Sequence, residues 1–343
     1  MSLFWRLGSA ATHRIFRLPI VVLMPHSRCN CRCVMCDIWK ANEEKREITV
    51  EDLEKHIHSF RKLGVKRVAL SGGEALMHSN LWKFCELLHS IGVKISLLST
   101  GITLKHHARE VAAHCDEVIV SLDGCRDTHN RIRNIPGAFE KLEEGVRTLK
   151  GIDPGFRVTG RTVLQKQNFR EFPAIIQTAK ALGLDQISFL GADVSSSAFN
   201  RSDRWSEEKV SEVALSRDEA VELESIFQKS FIDCKMEFDN RFIAEGRDKL
   251  LDIVRHYKAI TGNSAFPQKR CNAPWVSAVI ESNGDVLPCF FHKAYGNIHT
   301  NSLTEIINSG KAVSFRRNLN VKTDETCQRC VCSLDVPLLK TVQ

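Results

Sequence analysis

From residue 19 to residue 190 the chain alternates short apolar, β-branched runs with amphipathic stretches of helical period, and this alternation constrains the fold more than any other feature. The runs Ile20–Met24, Arg67–Ser71, Lys94–Ser99, Glu117–Ser121, Arg157–Val163 and Gln186–Leu190 read as strands. Between them, residues 50–63, 80–91, 104–114, 138–149 and 171–182 read as helices, the first opened by Thr49 with Glu51 and Asp52 in its first turn. Such repetition implies parallel strands joined by crossover helices, since parallel neighbours cannot be linked by a tight turn. Six strands are too few for a closed eight-stranded barrel. The expected fold is therefore α/β, a partial (β/α)6 barrel whose loops after the strands share one rim and carry the chemistry.

Four motifs fall on that rim. HSRCNCRCVMCDIW (residues 26–39) follows the first strand, SGGE (Ser71–Glu74) the second, STG (Ser99–Gly101) the third and SLDG (Ser121–Gly124) the fourth. Cys29, Cys33 and Cys36 are spaced C-x3-C-x2-C, with Cys31 between them. Disulfides between such close neighbours are strained, so the cluster points to a metal. Three thiolates suit an iron-sulfur cluster, which normally takes four, and the iron left open is a place for reaction. Two alternatives compete. The same three positions could form one stripe of a buried helix, against which Asn30 and Arg32 interrupt a polar stretch with no N-cap. A zinc site completed by Cys31 is the other, and its spacing fits the usual zinc knuckles poorly.

The three-cysteine loop after the first strand, followed by GGE after the second, resembles the radical S-adenosylmethionine (radical SAM) superfamily through most of residues 19–190. The resemblance implies that Cys29, Cys33 and Cys36 hold a [4Fe-4S] cluster whose fourth iron binds S-adenosyl-L-methionine (SAM). Reductive cleavage of SAM then gives a 5′-deoxyadenosyl radical that removes a substrate hydrogen atom. It implies that Gly72 and Gly73 let the backbone come close to the methionine moiety of SAM, that Glu74 is the acidic end of the same cofactor-binding motif, and that Ser121 and Arg133 contact the carboxylate. Met35 stands where an aromatic residue commonly meets the adenine. Arg133 has a plainer alternative as a solvated arginine at a helix end. Cys31 is read as a small buried hydrophobe outside the ligand set.

After the sixth strand, residues 191–216 lack clear periodicity and should form a long loop over the rim, offering Arg201 and Arg204 to an acidic or phosphorylated substrate group. Helical pattern resumes at 217–233 and 240–260. Residues 270–291 then read as a hairpin around Asn283–Gly284, and Cys271, Cys289, Cys327 and Cys330 give C-x12-G-x4-C followed by C-x2-C. This resembles the SPASM/twitch appendage of one radical SAM subgroup. The resemblance implies a small C-terminal Fe-S (twitch-like) domain with one auxiliary [4Fe-4S] cluster held by those four cysteines. A zinc ribbon from the same four is the alternative. The domain reading is thus 1–18, an amphipathic segment; 19–232, the barrel; 233–265, a helical linker; and 266–343, the auxiliary domain.

Composition enters last. A net charge of +7 on 343 residues gives no reason to expect nucleic acid, and no secretory signal or membrane span is visible, so the cytoplasm is expected. The charge is uneven, however: residues 1–36 hold five arginines and no acid. The basic amphipathic segment 1–18 could cover the open end of the barrel or lie on the inner membrane surface. The resemblance further implies an electron donor such as flavodoxin or ferredoxin. The expected activity is oxidation of, or bond formation on, a small molecule, with the auxiliary cluster as electron acceptor. The alternatives are a peptide maturase, against which the chain shows no long segment before its first strand, and a membrane-surface enzyme acting on a lipid. No residue is singled out as catalytic beyond the cofactor contacts.

Overall fold

The computed structural model describes residues 8–337 apart from residues 10, 202 and 263. Its central elements are six strands, β1 (Ile20–Leu23), β2 (Arg67–Leu70), β3 (Lys94–Ser99), β4 (Glu117–Ser121), β5 (Arg157–Leu164) and β6 (Gln186–Gly191). They lie parallel in the order β6-β5-β4-β3-β2-β1. Each follows the apolar run read from sequence to within a residue at either end.

The crossovers are α1 (Val50–Leu63), α2 (Leu81–His89), α3 (Ala108–His114), the pair α4 (Arg126–Arg133) and α5 (Ala138–Ile152), and α6 (Phe172–Ala181). Local chemistry sets their limits. Thr49 and Asp52 form a reciprocal capping box at the start of α1, and Gly64 ends it in the left-handed conformation. Along α1, Leu53, His56, Phe60 and Leu63 form the buried stripe, and Phe60 is fully buried. Full burial of such a side chain contributes about 1.5–3 kcal/mol.

Three features depart from the sequence reading. The segment after β6 contains a helix, α7 (Glu207–Val213), capped by the Ser206 hydroxyl on the Lys209 N–H. Its apolar stripe is only Val210 and Val213, too short a pattern to register as periodic. Two helices, α8 (Arg217–Asp233) and α9 (Lys235–Asp239), then run to Arg241, which has a positive φ. Residues 242–244 leave the helical path to hydrogen-bond with Ile187 on the outer edge of β6, before α10 (Arg247–Ile260) begins. That segment covers part of an otherwise open strand edge.

The third departure concerns the C-terminal region, which is no separate layer. After the short α11 (Ala273–Val276), β7 (Ser277–Ile280) pairs in parallel with β1, and β8 (Asp285–Leu287) and β9 (Gly296–Asn297) extend the same sheet antiparallel to nine strands. Helices α12 (Leu303–Ile307), α13 (Gly310–Asn318) and α14 (Glu325–Arg329) complete it. Because β7 runs with β1, its end at Ile280 lies on the same rim as Leu23 and Leu70. Of the amphipathic segment 1–18, residues 1–7 and 10 lie outside the described residues. Of its described part, Ile15 and Leu18 are buried, held by Asn308 and Leu63, while Arg14, Phe16 and Arg17 face outward.

Candidate active site

The cysteine loop is tied down at almost every residue. The Asn42 side chain accepts from Cys29 N–H at 2.8 Å and donates to Cys29 C=O at 2.9 Å. Arg32 and Val34 N–H groups donate to the carbonyls of Arg133 and Ile132 at the end of α4. His26 accepts from Arg28 N–H and contacts the Glu74 carbonyl at 2.6 Å. Burial pushes His26 down to about 4, so the imidazole is neutral and a fixed linker. The anchors from Asn42, Glu74 and the end of α4 were not legible beforehand, because those partners are remote in sequence.

Glycine at position 73 is required by the same loop. A Cβ there would lie 1.9 Å from the Arg28 carbonyl oxygen, and at Gly72, where φ is 101°, it would meet the Met24 side chain at 3.0 Å. Gly73 thus lets the stretch carrying Cys29 lie directly on the GGE turn. Glu74 is fully buried. Its carboxylate accepts from Thr100 N–H at 2.6 Å and Leu76 N–H at 3.3 Å, which joins the second rim loop to the third. Burial pushes the Glu74 carboxyl up.

Cys29 and Cys36 are half-buried, while Cys33 and Cys31 are buried. Cys31 donates to the sulfurs of Cys29 and Cys33, and with burial this holds its own thiol far above the usual range. Cys33 is drawn down to about 7, first by that hydrogen bond and, against burial, by Arg133. Cys36 is pushed up to about 12 by burial. Cys31 is buried, as the sequence reading has it, and its backbone N–H lies 3.5 Å from Cys29 Sγ.

Arg133 is buried, which excludes a solvated helix-end arginine. Its guanidinium pairs with the Asp123 carboxylate of the SLDG motif and lies 3.5 Å from Cys33 Sγ. Burial opposes its charge, but Asp123 and the three thiols Cys33, Cys31 and Cys29 outweigh burial and hold it above its usual range. Asp123, fully buried, also accepts from Val163 N–H. Sequence reading missed it, although it lies inside a motif already singled out. Ser121 ends β4 half-buried, and Met35 packs partly buried against the core.

A cavity of about 310 Å³ opens between this rim and the C-terminal region. Of the residues expected to touch SAM, Gly72 and Gly73 line it. Met24, His26 and Arg46 join them from the barrel, Phe199 and Asn200 from the segment after β6, and Glu281, Phe290, Phe291 and Lys293 from beyond β7. Phe199 and Asn200 have positive φ, a strained conformation for such residues, and hold the Phe199 ring 6.1 Å from Phe290 and 6.0 Å from Phe291. Glu281 directly follows β7, and burial and Asp285 push its carboxyl up. It was not foreseen, since only the parallel β7–β1 pairing brings it to the rim.

The segment after β6 does close over the rim, but the expected role of Arg201 is corrected. Arg201 is buried, pairs with Asp193 at 2.8 Å and stacks on Trp205 at 3.9 Å, while Trp205 Nε1 donates to Asp37, the residue after Cys36. The arginine is consumed in fixing the lid to the cysteine loop. Arg204 is exposed and 3.5 Å from Glu325.

Beyond Phe290 lies a second cavity of about 220 Å³, lined by Cys271, Cys289, Cys327, Cys330 and also Cys332, with Val22, Val279 and Leu319. All five cysteines are free thiols. Burial pushes Cys289 up to about 11 and raises Cys327 and Cys330 further. His292 Nε2 lies 3.4 Å from Cys327 Sγ and 3.7 Å from Asp324. An apolar chamber walled by thiols is suited to a metal cluster that neutralises their charge when they ionise. The three thiols on the rim, gathered beside a buried arginine, fit an anionic cluster equally well.

Known families match both parts of the chain. Residues 23–179 match the family described as the radical SAM superfamily, and residues 271–331 match SPASM, described as an iron-sulfur cluster-binding domain. The chain is 31% identical over 177 residues to Fe-coproporphyrin III synthase of Methanosarcina barkeri, covering 50% of this chain and 43% of that protein. It is 23% identical over 312 residues to the antilisterial bacteriocin subtilosin biosynthesis protein AlbA of Bacillus subtilis, covering 89% of this chain and 63% of AlbA. The chain thus spans less than two thirds of the length of these relatives. In fold it is similar to SuiB of Streptococcus suis bound to S-adenosylmethionine, with TM-score 0.66 at 14% identity over 96% of this chain and 75% of SuiB. It is likewise similar to anSMEcpe with bound AdoMet, with TM-score 0.61 at 18% identity over 91% of this chain and 86% of the other.

Proposed function

We infer the function from the premise that this chain belongs to the radical SAM superfamily and ends in a SPASM-type iron-sulfur domain. Cys29, Cys33 and Cys36 hold the [4Fe-4S] cluster at which SAM binds, and Cys271, Cys289, Cys327 and Cys330 hold an auxiliary [4Fe-4S] cluster. Bound together, the first cluster and SAM would supply the chemistry for removing a hydrogen atom from substrate. Gly72 and Gly73 serve the methionine end of SAM, with Glu74 buried beneath them and joining the second rim loop to the third; Ser121 and Arg133 serve its carboxylate, and Met35 its adenine.

The substrate occupies the cavity between the rim and the C-terminal region, and the reaction is a net oxidation or bond formation on a small molecule. One observation carries this reading: Phe290, Phe291 and His292 line both the rim cavity and the cysteine-walled cavity. A single layer of side chains separates the two, so an electron leaving a substrate has a short path to the auxiliary site. The Phe199, Phe290 and Phe291 rings exclude water from that layer. Glu281, whose carboxyl is pushed up by burial, is placed to take the proton that an oxidised alcohol, thiol or amine releases.

A peptide substrate is the second reading. It is favoured by the match to AlbA, a bacteriocin biosynthesis protein, which runs through 89% of this chain and so spans barrel and C-terminal region together. Anaerobic turnover with deuterated candidates of each class tests both. Transfer of the label into 5′-deoxyadenosine identifies the substrate. Reduction of the auxiliary cluster in a single turnover, followed by electron paramagnetic resonance, is expected for net oxidation, and a persistently oxidised auxiliary cluster beside formed product rejects its role as acceptor.

A further inference from the structure

The end of the sheet opposite the rim carries a site that the chemistry above does not use. Leu18 N–H donates to the Leu63 carbonyl, and Lys66 and Arg67 N–H groups to that of Pro19, so the segment before β1 crosses the C-terminal end of α1 ahead of the strands. A cavity of about 320 Å³ there is lined by Arg14, Phe16, Arg17, Lys62, Thr304 and Asn308, among others. Among the described residues no carboxylate pairs with Arg14, Arg17 or Lys62. The nearby Glu305 is occupied in capping α12 through Ser302. Beneath the segment, Arg316 is buried and spends its guanidinium on the carbonyls of His13 and Ile307, adding positive charge with no carboxylate partner among the described residues.

Two further observations point to a ligand. The Thr304 hydroxyl oxygen is buried at the cavity without a hydrogen-bond partner among the described residues, and such an orphan calls for an acceptor or donor from outside. Phe16 stands 37% exposed beside the cations, although its neighbours Ile15 and Leu18 are buried. The site is also built rather than frayed. Asn308 grips Ile15 by both N–H and C=O, and Arg17 Nη1 donates to the Lys62 carbonyl at 3.2 Å.

We propose that this face docks on an anionic phospholipid surface, with the cavity formed by Arg14, Arg17, Lys62 and Thr304 taking a phosphate headgroup and Phe16 entering the interface. Planar guanidinium groups match phosphate oxygens in pairs, and the threonine hydroxyl supplies one more donor. An aromatic beside cations is the composition expected at a lipid interface rather than on a purely electrostatic nucleic-acid surface. In sequence, the residues that precede the site continue in kind, with Leu3, Phe4, Trp5 and Leu7 around Arg6. Docking at this end leaves the rim and its cavity facing away from the membrane.

The test is co-sedimentation of the full chain, with its clusters reconstituted, on phosphatidylcholine vesicles with and without phosphatidylglycerol. Binding is expected only where phosphatidylglycerol is present and is lost at high salt. Replacing the three cations together (Arg14→Gln, Arg17→Gln, Lys62→Gln) should weaken it roughly a hundred-fold, on the basis of about 1 kcal/mol for each basic residue at such a surface. The pair Arg14→Gln and Lys62→Gln keeps the Arg17 side chain, and should lose about two thirds of that free energy while retaining the parent's melting temperature and iron content. Thr304→Val should weaken binding without lowering the melting temperature, since the hydroxyl has no partner among the described residues. Failure of the parent to bind phosphatidylglycerol vesicles overturns the proposal. So does unaltered binding by both charge variants, or tighter binding to transfer RNA than to the vesicles.

Discussion

Gly73→Ala separates the demands of the cysteine loop from those of the fold. The new methyl would sit 1.9 Å from the Arg28 carbonyl oxygen and 3.1 Å from Cys29 Cβ, whereas an ordinary van der Waals contact begins near 3.4 Å. The obstructing atom is backbone, and it already accepts the Glu74 N–H at 3.0 Å, so no side-chain rotation can relieve the overlap. Overpacking of this kind costs about 1–3 kcal/mol even where neighbours can shift. Here the shift needed, more than about 1 Å, moves Cys29 relative to Cys33 and Cys36, which are fixed through Val34 to α4. The expected outcome is loss of the SAM-site cluster and of SAM cleavage, with about half the iron retained at the auxiliary site. Gly92→Ala is the control: its φ is 74° but nothing lies within 4 Å of a Cβ, so it pays only the backbone term of about 1 kcal/mol. It should keep full iron and lower the melting temperature by about 2 °C. Anaerobic reconstitution with iron and sulfide counted per chain is the assay. A Gly73→Ala protein with the iron content and SAM cleavage of the parent would refute the close approach of the loop to the glycine pair.

Changing Cys29, Cys33 and Cys36 together to Ala should abolish SAM cleavage and leave about half the iron, while Cys31→Ala keeps both clusters; loss of iron in the latter would make Cys31 a ligand. Arg201→Ala leaves Asp193 buried without its cation and should destabilise by about 3–5 kcal/mol in urea titration. Arg204→Ala, on an exposed pair, should change stability by less than about 1 kcal/mol, and equal losses would refute the assignment of Arg201 to the lid's anchorage. Glu281→Gln should lower turnover without affecting uncoupled SAM cleavage. Because burial raises the Glu281 carboxyl in the folded chain, the native state binds that proton more tightly than the unfolded state. Its contribution therefore falls as pH rises through the carboxylate range, and the Gln variant should show a shallower decline in stability there, which a pH series of melting curves checks.

The barrel was legible because its signals are local. Thr49 announces α1, alternating apolar positions mark the strands, and the cysteine, GGE and SLDG motifs follow strand ends by simple counting. Residues whose role depends on a distant partner were not legible. Asp123 reads as part of a loop until Arg133 is folded back upon it, and nothing in the sequence marks Asn42 until it grips Cys29 from thirteen positions away. Arg201 illustrates the opposite error. Its sequence neighbours Phe199, Arg204 and Trp205 look like a substrate lid, and Phe199 does line the rim cavity, but the arginine read as a substrate contact is spent on Asp193. Short helices such as α7 and α14 escaped for a physical reason as well, since one or two turns bury too few side chains to leave a periodic trace.

The pairing of β7 with β1 makes the C-terminal region part of the barrel's stability, although the cysteine spacing reads as an independent appendage. β1 lies between β2 and β7, with Val21 and Leu23 fully covered, so a chain ending at residue 265 would expose β1 as an apolar edge. Such an edge presents a row of unpaired backbone groups that invite pairing with another molecule. The same truncation removes Asn308 and Arg316, which hold the segment before β1, and Ile298, whose carbonyl meets His56 of α1 at 2.9 Å. Loss of the auxiliary cysteines alone should therefore spare the SAM-site cluster, whereas loss of residues 266–343 should not. The truncated chain is expected to aggregate on expression or to assemble through β1, as size-exclusion chromatography under anaerobic conditions can show. A monomeric truncated chain holding a full SAM-site cluster would mean that β1 tolerates an open edge, and that the two cysteine sites sit on separable units after all.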